Sequence, residues 1–253
     1  MQDVVDARSF FELGYIVLAG AFTRPEVERM RAAFERLAAV AAGLDGPCMH
    51  AGSQFVVERD ASVAGGVRIH RVVWCGAAEP ELAAFGTDPR LLSLASRLLG
   101  STEMQHLINQ AHFKMPGDGV EFPWHQDSTH RRFGGEEWKD VNGRGSYVQT
   151  VIALDDIDET NGPIRLIPGS CRHGHIDVGV AGQIPSRFID GRPIVAATMA
   201  AGDVLAFGPY TIHASTPNLS SGPRRVLING YAYPGANSRV YPGEGSGKVV
   251  RFS

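Results

Sequence analysis

The chain has 253 residues, a formal net charge of -3 and 20% charged residues. This length suits one large domain with a substantial core, and the near-neutral balance with no basic stripe excludes a nucleic-acid surface. No apolar run approaches a membrane span. Met1-Gln2-Asp3 does not open a basic region followed by an apolar block, so a cytoplasmic chain without a secretory leader is expected. Cys48, Cys75 and Cys171 are odd in number and scattered, which reads as three free thiols in a reducing compartment.

Phe10 to Leu18 reads as the end of a short helix and then a strand, broken at Gly14. Thr23, Pro25 and Glu26 form an N-terminal capping pattern. From there Val27, Met30, Phe34, Leu37 and Ala41 recur at helical spacing up to Gly43. Residues 44–66 are rich in Gly, Ala and Ser, with strands expected over Gln54 to Glu58 and Val67 to Trp74. Pro89 to Leu99 reads as a second helix, capped by Asp88 and stopped by Gly100.

Beyond Gly100 the texture becomes all-β, with short apolar runs between Gly, Pro, Asn and Asp clusters. Strands are expected over Gln105 to Lys114, Tyr147 to Asp155, Ile164 to Pro168, Asp203 to Phe207 and Arg225 to Tyr233. The expected architecture is a single domain over 1–253, mainly β with flanking helices. Residues 1–100 give helices and outer strands, and 101–253 give a β-sandwich core.

His125-Gln126-Asp127 carries the chemistry. On an extended chain side chains alternate with period two, so His125 and Asp127 share a side and Gln126 faces away. A helix would place them about 200° apart, and Pro123 favours an extended approach. A third ligand must come from a neighbouring strand, and His213 follows the run Asp203 to Phe207 and a Gly208-Pro209 turn. Two imidazoles and one carboxylate can cap one face of an octahedral Fe(II), leaving positions open for co-substrate and O2. Arg224 adds a planar cation of the kind a dicarboxylate such as 2-oxoglutarate requires.

In a chain with 9 histidines an H-x-D triplet alone is a weak signal. His173-Gly174-His175 is a rival metal pair, but only Asp177 stands near it as a carboxylate, and it reads as a loop. Asp155-Asp156-Ile157-Asp158-Glu159 lacks the spacing of a calcium loop and reads as a solvated turn.

Phe11 to Val17, Phe122 to Asp127, Asn161 to Ser170, His213-Ala214-Ser215 and Arg224 form an ordered set over most of the chain. This set resembles the phytanoyl-CoA dioxygenase-like family of Fe(II)/2-oxoglutarate oxygenases. The resemblance implies a double-stranded β-helix (jelly-roll, cupin-like) core, with iron held by His125, Asp127 and His213. It also implies that the co-substrate arginine follows the distal histidine by eleven residues, at Arg224. Arg225 is the alternative, and strand parity separates the two. Ser215 is placed to donate to the same carboxylate. Related halogenases carry a small residue in place of the metal carboxylate, so Asp127 favours hydroxylation.

Ile108, Gln110, His112 and Lys114 share one strand face, and Gln149, Val151 and Ala153 another. Gln110 and His112 are expected at the co-substrate, and Gln149 at the substrate. Ser128 follows the metal carboxylate and is expected to touch substrate. Thr129 to Arg144, bearing Trp138, is expected to lie over the site. Arg131, Arg132 and Arg144 point to an anionic group on the substrate. The expected reaction is hydroxylation of an unactivated C–H of a compact, polar small molecule, with release of succinate and CO2. Desaturation, cyclisation, epimerisation and a non-catalytic metal-binding sensor are the alternatives. Oligomeric state is not legible.

Overall fold

Alternation on three long antiparallel strands decides the architecture, because each turns apolar side chains to both faces, one toward the helices and one toward the smaller sheet. The computed structural model describes residues 7–61, 66–179 and 182–252. In chain order the elements are α1 (Ala7–Leu13), β1 (Tyr15–Leu18), α2 (Arg24–Ala42), β2 (Cys48–His50), β3 (Ser53–Arg59), β4 (Val67–Val73), α3 (Pro80–Gly86), α4 (Pro89–Leu99) and β5 (Glu103–Lys114). There follow β6 (Phe122–His125), α5 (Asp127–His130), β7 (Tyr147–Ala153), β8 (Ile164–Leu166), β9 (Val195–Ala196), β10 (Val204–Phe207), β11 (His213–Ser215), β12 (Arg224–Ala232) and β13 (Lys248–Arg251).

Among the described residues the strands form two sheets, together a double-stranded β-helix. The larger runs β1-β10-β7-β12-β5-β4-β3-β2, with β13 also on β5; the smaller runs β6-β11-β8-β9. Both are antiparallel throughout.

On β5, β7 and β12 the residues Ala111, Phe113, Val148, Ile152 and Leu227 face the helices. They meet Met30, Phe34 and Leu37 of α2 and Leu91, Leu94 and Leu98 of α4, all buried. Phe34 and Phe113 pack with ring centroids 5.0 Å apart. Each such side chain contributes about 1.5–3 kcal/mol on burial, so this layer fixes the sheet on which the site is built. The opposite faces turn inward toward the smaller sheet, where Val151, Ala153, Val226, Leu205 and Phe207 form a second apolar cluster.

Thr23 caps α2 through a reciprocal capping box with Glu26. Asp88 accepts from the Arg90 amide to start α4, and Gly100 ends it in the left-handed region. Short α3, β2, β9, β11 and β13 carry too little periodicity to be read locally. The one reversal of type is α5, where an extended segment was expected and a one-turn helix begins at Asp127.

Candidate active site

β6 ends at His125, Gln126 stays extended with φ -115 and ψ 140, and Asp127 opens α5. Parity therefore survives through Gln126, and His125 and Asp127 face the same way although the strand stops between them. Gln126 points to the opposite side and is fully buried. Its amide donates to Tyr210 O (2.6 Å) and Gly174 O (2.9 Å), and its carbonyl accepts from the Ile176 amide (2.8 Å). His213 lies on β11, directly opposite His125 in register.

The ligand atoms of His125, Asp127 and His213 all lie within 4.8 Å of one another. His125 Nε2 and His213 Nε2 stand 3.9 and 3.8 Å from Asp127 Oδ1. His125 donates from Nδ1 to Pro123 O (2.7 Å) and His213 from Nδ1 to Thr211 O (2.9 Å). A carbonyl only accepts, so each proton sits on Nδ1 and each Nε2 presents a lone pair. Burial, and then His125, pull the His213 imidazole down to about 4, so it is neutral at pH 7. Burial works to raise the Asp127 carboxyl, but His213, Arg131 and His125 outweigh it and hold it below its ordinary range. Asp127 Oδ2 is buried with no hydrogen-bond partner. Two aimed lone pairs and an orphaned carboxylate oxygen fit a divalent cation that prefers imidazole and carboxylate.

A cavity of about 700 Å³ opens beside the triad, between the two sheets. At one end Arg224 and Lys114 face each other in register on β12 and β5, and both are buried. Arg224 donates to Gly162 O (2.9 Å), and its Nε has no partner. Lys114 donates to Ser215 Oγ (2.8 Å), which leaves the serine proton free for an incoming acceptor. Burial pulls Arg224 down to about 10, and burial with repulsion from Arg224 pulls Lys114 down to about 7. Gly162 has φ +82, and a Cβ there would stand 2.5 Å from Thr216 O and 3.2 Å from the Lys114 side chain. Lys114 was not singled out from sequence, because nothing local distinguishes it from any other lysine ending a strand.

Gln110 and His112 line the same cavity, and His112 Nε2 lies 2.9 Å from Gln110 Oε1. Gln149 and Arg131 line it as well. Arg225 faces outward, paired with Asp155 (2.9 Å) and with Glu35. Ser128 is buried off the cavity, hydrogen-bonded to His175 Nδ1 at 2.8 Å. Trp138 is 2% exposed, packed with Leu107, Ile108 and Tyr147, and donates to Gly145 O at 3.2 Å.

Ser128 and Trp138 therefore stand away from the substrate space where they were expected. Trp138 anchors the loop by a bridge to Asn237 rather than hanging over the site. Arg132 is exposed and paired with Glu137, while Arg144 lies over Phe11 beside a separate cavity of about 340 Å³. His173 packs on Phe188. The acidic turn is tied down, since Asp155 also meets Arg31 and Asp156 accepts from the Ala201 amide.

The phytanoyl-CoA dioxygenase (PhyH) family pattern matches residues 10–226. The chain belongs to the phytanoyl-CoA dioxygenase family. It is thus an enzyme of the non-haem Fe(II)/2-oxoglutarate-dependent dioxygenases. Among PhyH relatives, L-proline trans-4-hydroxylase of Streptomyces griseoviridis is 29% identical over 56% of this chain and 59% of that enzyme. The chain thus spans under two thirds of that relative. Ectoine dioxygenase of Bordetella bronchiseptica is 27% identical over 88% of this chain and 73% of that enzyme. The epimerase SnoN, solved with Fe3+, alpha ketoglutarate and nogalamycin RO, superposes with a TM-score of 0.69 at 18% identity, covering 96% of this chain and 93% of that one. At that identity the likeness speaks to the fold alone. Among the described residues no helix is long and apolar enough to cross a membrane.

Proposed function

We propose that this PhyH protein hydroxylates an unactivated C–H of a compact polar metabolite, using Fe(II), 2-oxoglutarate and O2. The observation that carries the reading is the meeting of His125, Asp127 and His213 on the wall of a cavity that also holds Arg224, a buried cation with no carboxylate paired to it among the described residues.

His125, Asp127 and His213 would hold Fe(II), which with 2-oxoglutarate and O2 supplies C–H oxidation coupled to release of succinate and CO2. The remaining work belongs to the chain. Arg224 offers two parallel N–H bonds to the distal carboxylate of 2-oxoglutarate, fixing its direction as well as its affinity. Lys114 adds a donor from the adjoining strand β5, and Ser215 one from β11 of the smaller sheet. His112 and Gln110 stand two and four residues back along β5 from Lys114 and bound the co-substrate laterally. Burial, and then Arg71, pull His112 down to about 3, so it is neutral and adds no competing charge. Val226 and Phe207 keep water from the reacting space. A cavity of about 700 Å³ shared with the co-substrate leaves room for a small molecule and not for a long acyl chain.

The test is a screen of small polar metabolites for stimulated succinate release, with mass detection of the product. Gain of a single oxygen atom supports hydroxylation. Loss of two hydrogens, or a product of unchanged mass, overturns it in favour of desaturation or epimerisation.

A further inference from the structure

The same cavity carries further cations beside the two assigned to the co-substrate. Arg71 comes from β4, Arg131 from the turn after α5, and Arg239 from the segment before β13. Among the described residues none of the three forms an ion pair with a carboxylate; Arg131 donates to Tyr147 Oη (2.6 Å) and Arg239 to His130 O (3.1 Å). Arg131 is 6% exposed, with its guanidinium carbon 4.3 Å from the Tyr147 ring centroid and 5.3 Å from that of Tyr241. Arg239 lies 5.1 Å from the same Tyr241 ring, so one aromatic ring serves two guanidinium groups. Arg131 Nε, Arg71 Nε and Tyr241 Oη are all buried without hydrogen-bond partners.

An unmet buried donor costs about 1–3 kcal/mol, so the two arginine Nε groups beside this cavity call for an acceptor within it. The 2-oxoglutarate dianion cannot be that acceptor, since one end is placed on the triad and the other on Arg224. The carboxylates lining this cavity are Glu121 and Asp127, against five Arg and Lys side chains. Fe(II) and the 2-oxoglutarate dianion cancel, so a surplus of positive charge remains for the substrate.

We propose that the substrate is a compact anion, a carboxylate or a phosphonate, whose oxygens are received by Arg71, Arg131 and Arg239 while a C–H on its carbon skeleton is turned toward the triad. Planar guanidinium forks suit either oxyanion. The aromatic faces beside Arg131 keep its fork in one orientation, which fixes the carbon that reaches the metal centre. The inference rests on the oxygenase reading and deepens it.

The experiment pairs compact carboxylates and phosphonates with their primary amides or methyl esters, and follows succinate release together with the anaerobic Fe(II)–2-oxoglutarate absorption band. Arg71→Gln and Arg239→Gln are the variants of choice because both side chains are only half-buried, whereas Arg131→Gln risks the fold. At least one acid is expected to stimulate turnover, with its neutral partner tenfold or more weaker. Both variants are expected to raise KM for that acid tenfold or more while the 2-oxoglutarate Kd moves less than twofold. Comparison of the carboxylate and phosphonate arms decides between the two oxyanions. Equal stimulation by acids and amides, silence of every acid with the band intact, or weakened 2-oxoglutarate binding with an unchanged acid KM would each overturn the proposal. Absence of the band in the unaltered chain would instead sink the oxygenase reading itself, and this inference with it.

Discussion

Lys114 and Arg224 are register partners on β5 and β12, two buried cations side by side with no carboxylate paired to either among the described residues. Burying like charges together is costly unless an anion arrives to share them. Lys114 answers by moving down to about 7, driven by burial and then by Arg224. Binding a carboxylate between them restores the charged form, so 2-oxoglutarate should bring a proton with it. At pH 8, calorimetry in buffers of different ionisation enthalpy is expected to show uptake of about one proton per 2-oxoglutarate bound, and none in Lys114→Met.

The same group sets a stability trend. Its folded-state pKa of about 7 lies below the unfolded lysine value of about 10.4, so between these the unfolded chain binds more protons. Stability from this group therefore rises with pH across that window and is least below pH 7. The ligand-free chain should gain in Tm from pH 6 to pH 9 relative to Lys114→Met. A parallel pair of Tm curves would contradict the assignment.

Arg224 and Arg225 separate by parity alone. Arg224→Ala is expected to weaken 2-oxoglutarate about 100-fold, as loss of a charge-assisted pair of roughly 3 kcal/mol requires. Arg224→Lys keeps the charge but not the fork and should recover part of that loss. Arg225→Ala breaks the contacts to Asp155 and Glu35 and should lower Tm while leaving the 2-oxoglutarate Kd within twofold.

Strand parity says only that the two arginines face opposite ways; which of them faces inward was legible from the eleven-residue spacing after His213 that the family resemblance implies. Helix α4 was readable locally, since Asp88 and Gly100 mark its ends within the sequence itself. The inward face of β5 was readable as a face, yet Lys114 was not readable as a site, because its register partner Arg224 lies far away in the sequence. Arg71 and Arg239 carried no signal at all; only the fold brings β4 and the segment before β13 to one wall. At Asp127 local extension was expected and a helical turn is found. The convergence survived because Gln126, the residue that fixes parity, is extended. Trp138 was misplaced because a large aromatic in a polar loop looks like a lid until its backbone bridge to Asn237 and its packing with Tyr147 are seen.

Gln126 makes its own prediction. Three backbone groups on two other segments depend on its amide. Gln126→Leu leaves them unmet, at about 1–3 kcal/mol each, and loosens the turn that aims Asp127. A drop in Tm of several degrees and an Fe(II) Kd weakened more than tenfold are expected, although no ligand has been altered. An unchanged Fe(II) Kd in a folded variant would show that the turn is held by other means.

Gly230 is required by Tyr147. A Cβ at this position would lie 2.0 Å from Tyr147 Oη, the atom that accepts from Arg131 and donates to Gln149 (2.9 Å). Gly230→Ala is expected to cost about 1–3 kcal/mol by overpacking and to raise the substrate KM more than the 2-oxoglutarate KM, because the displaced hydroxyl releases the Arg131 fork. Tyr147→Phe removes the hydroxyl without the clash and should reproduce the kinetic effect with a smaller loss of Tm.

The most direct measurement is an anaerobic titration of the chain with Fe(II) in the presence of 2-oxoglutarate, followed by the visible charge-transfer band of the bidentate chelate. The band is predicted to saturate at one Fe(II) per chain, to vanish in His125→Ala, Asp127→Ala and His213→Ala, and to persist in His173→Ala. A band that survives loss of any one of His125, Asp127 or His213 unchanged, or that disappears with His173, would place the ferrous ion elsewhere and contradict the account.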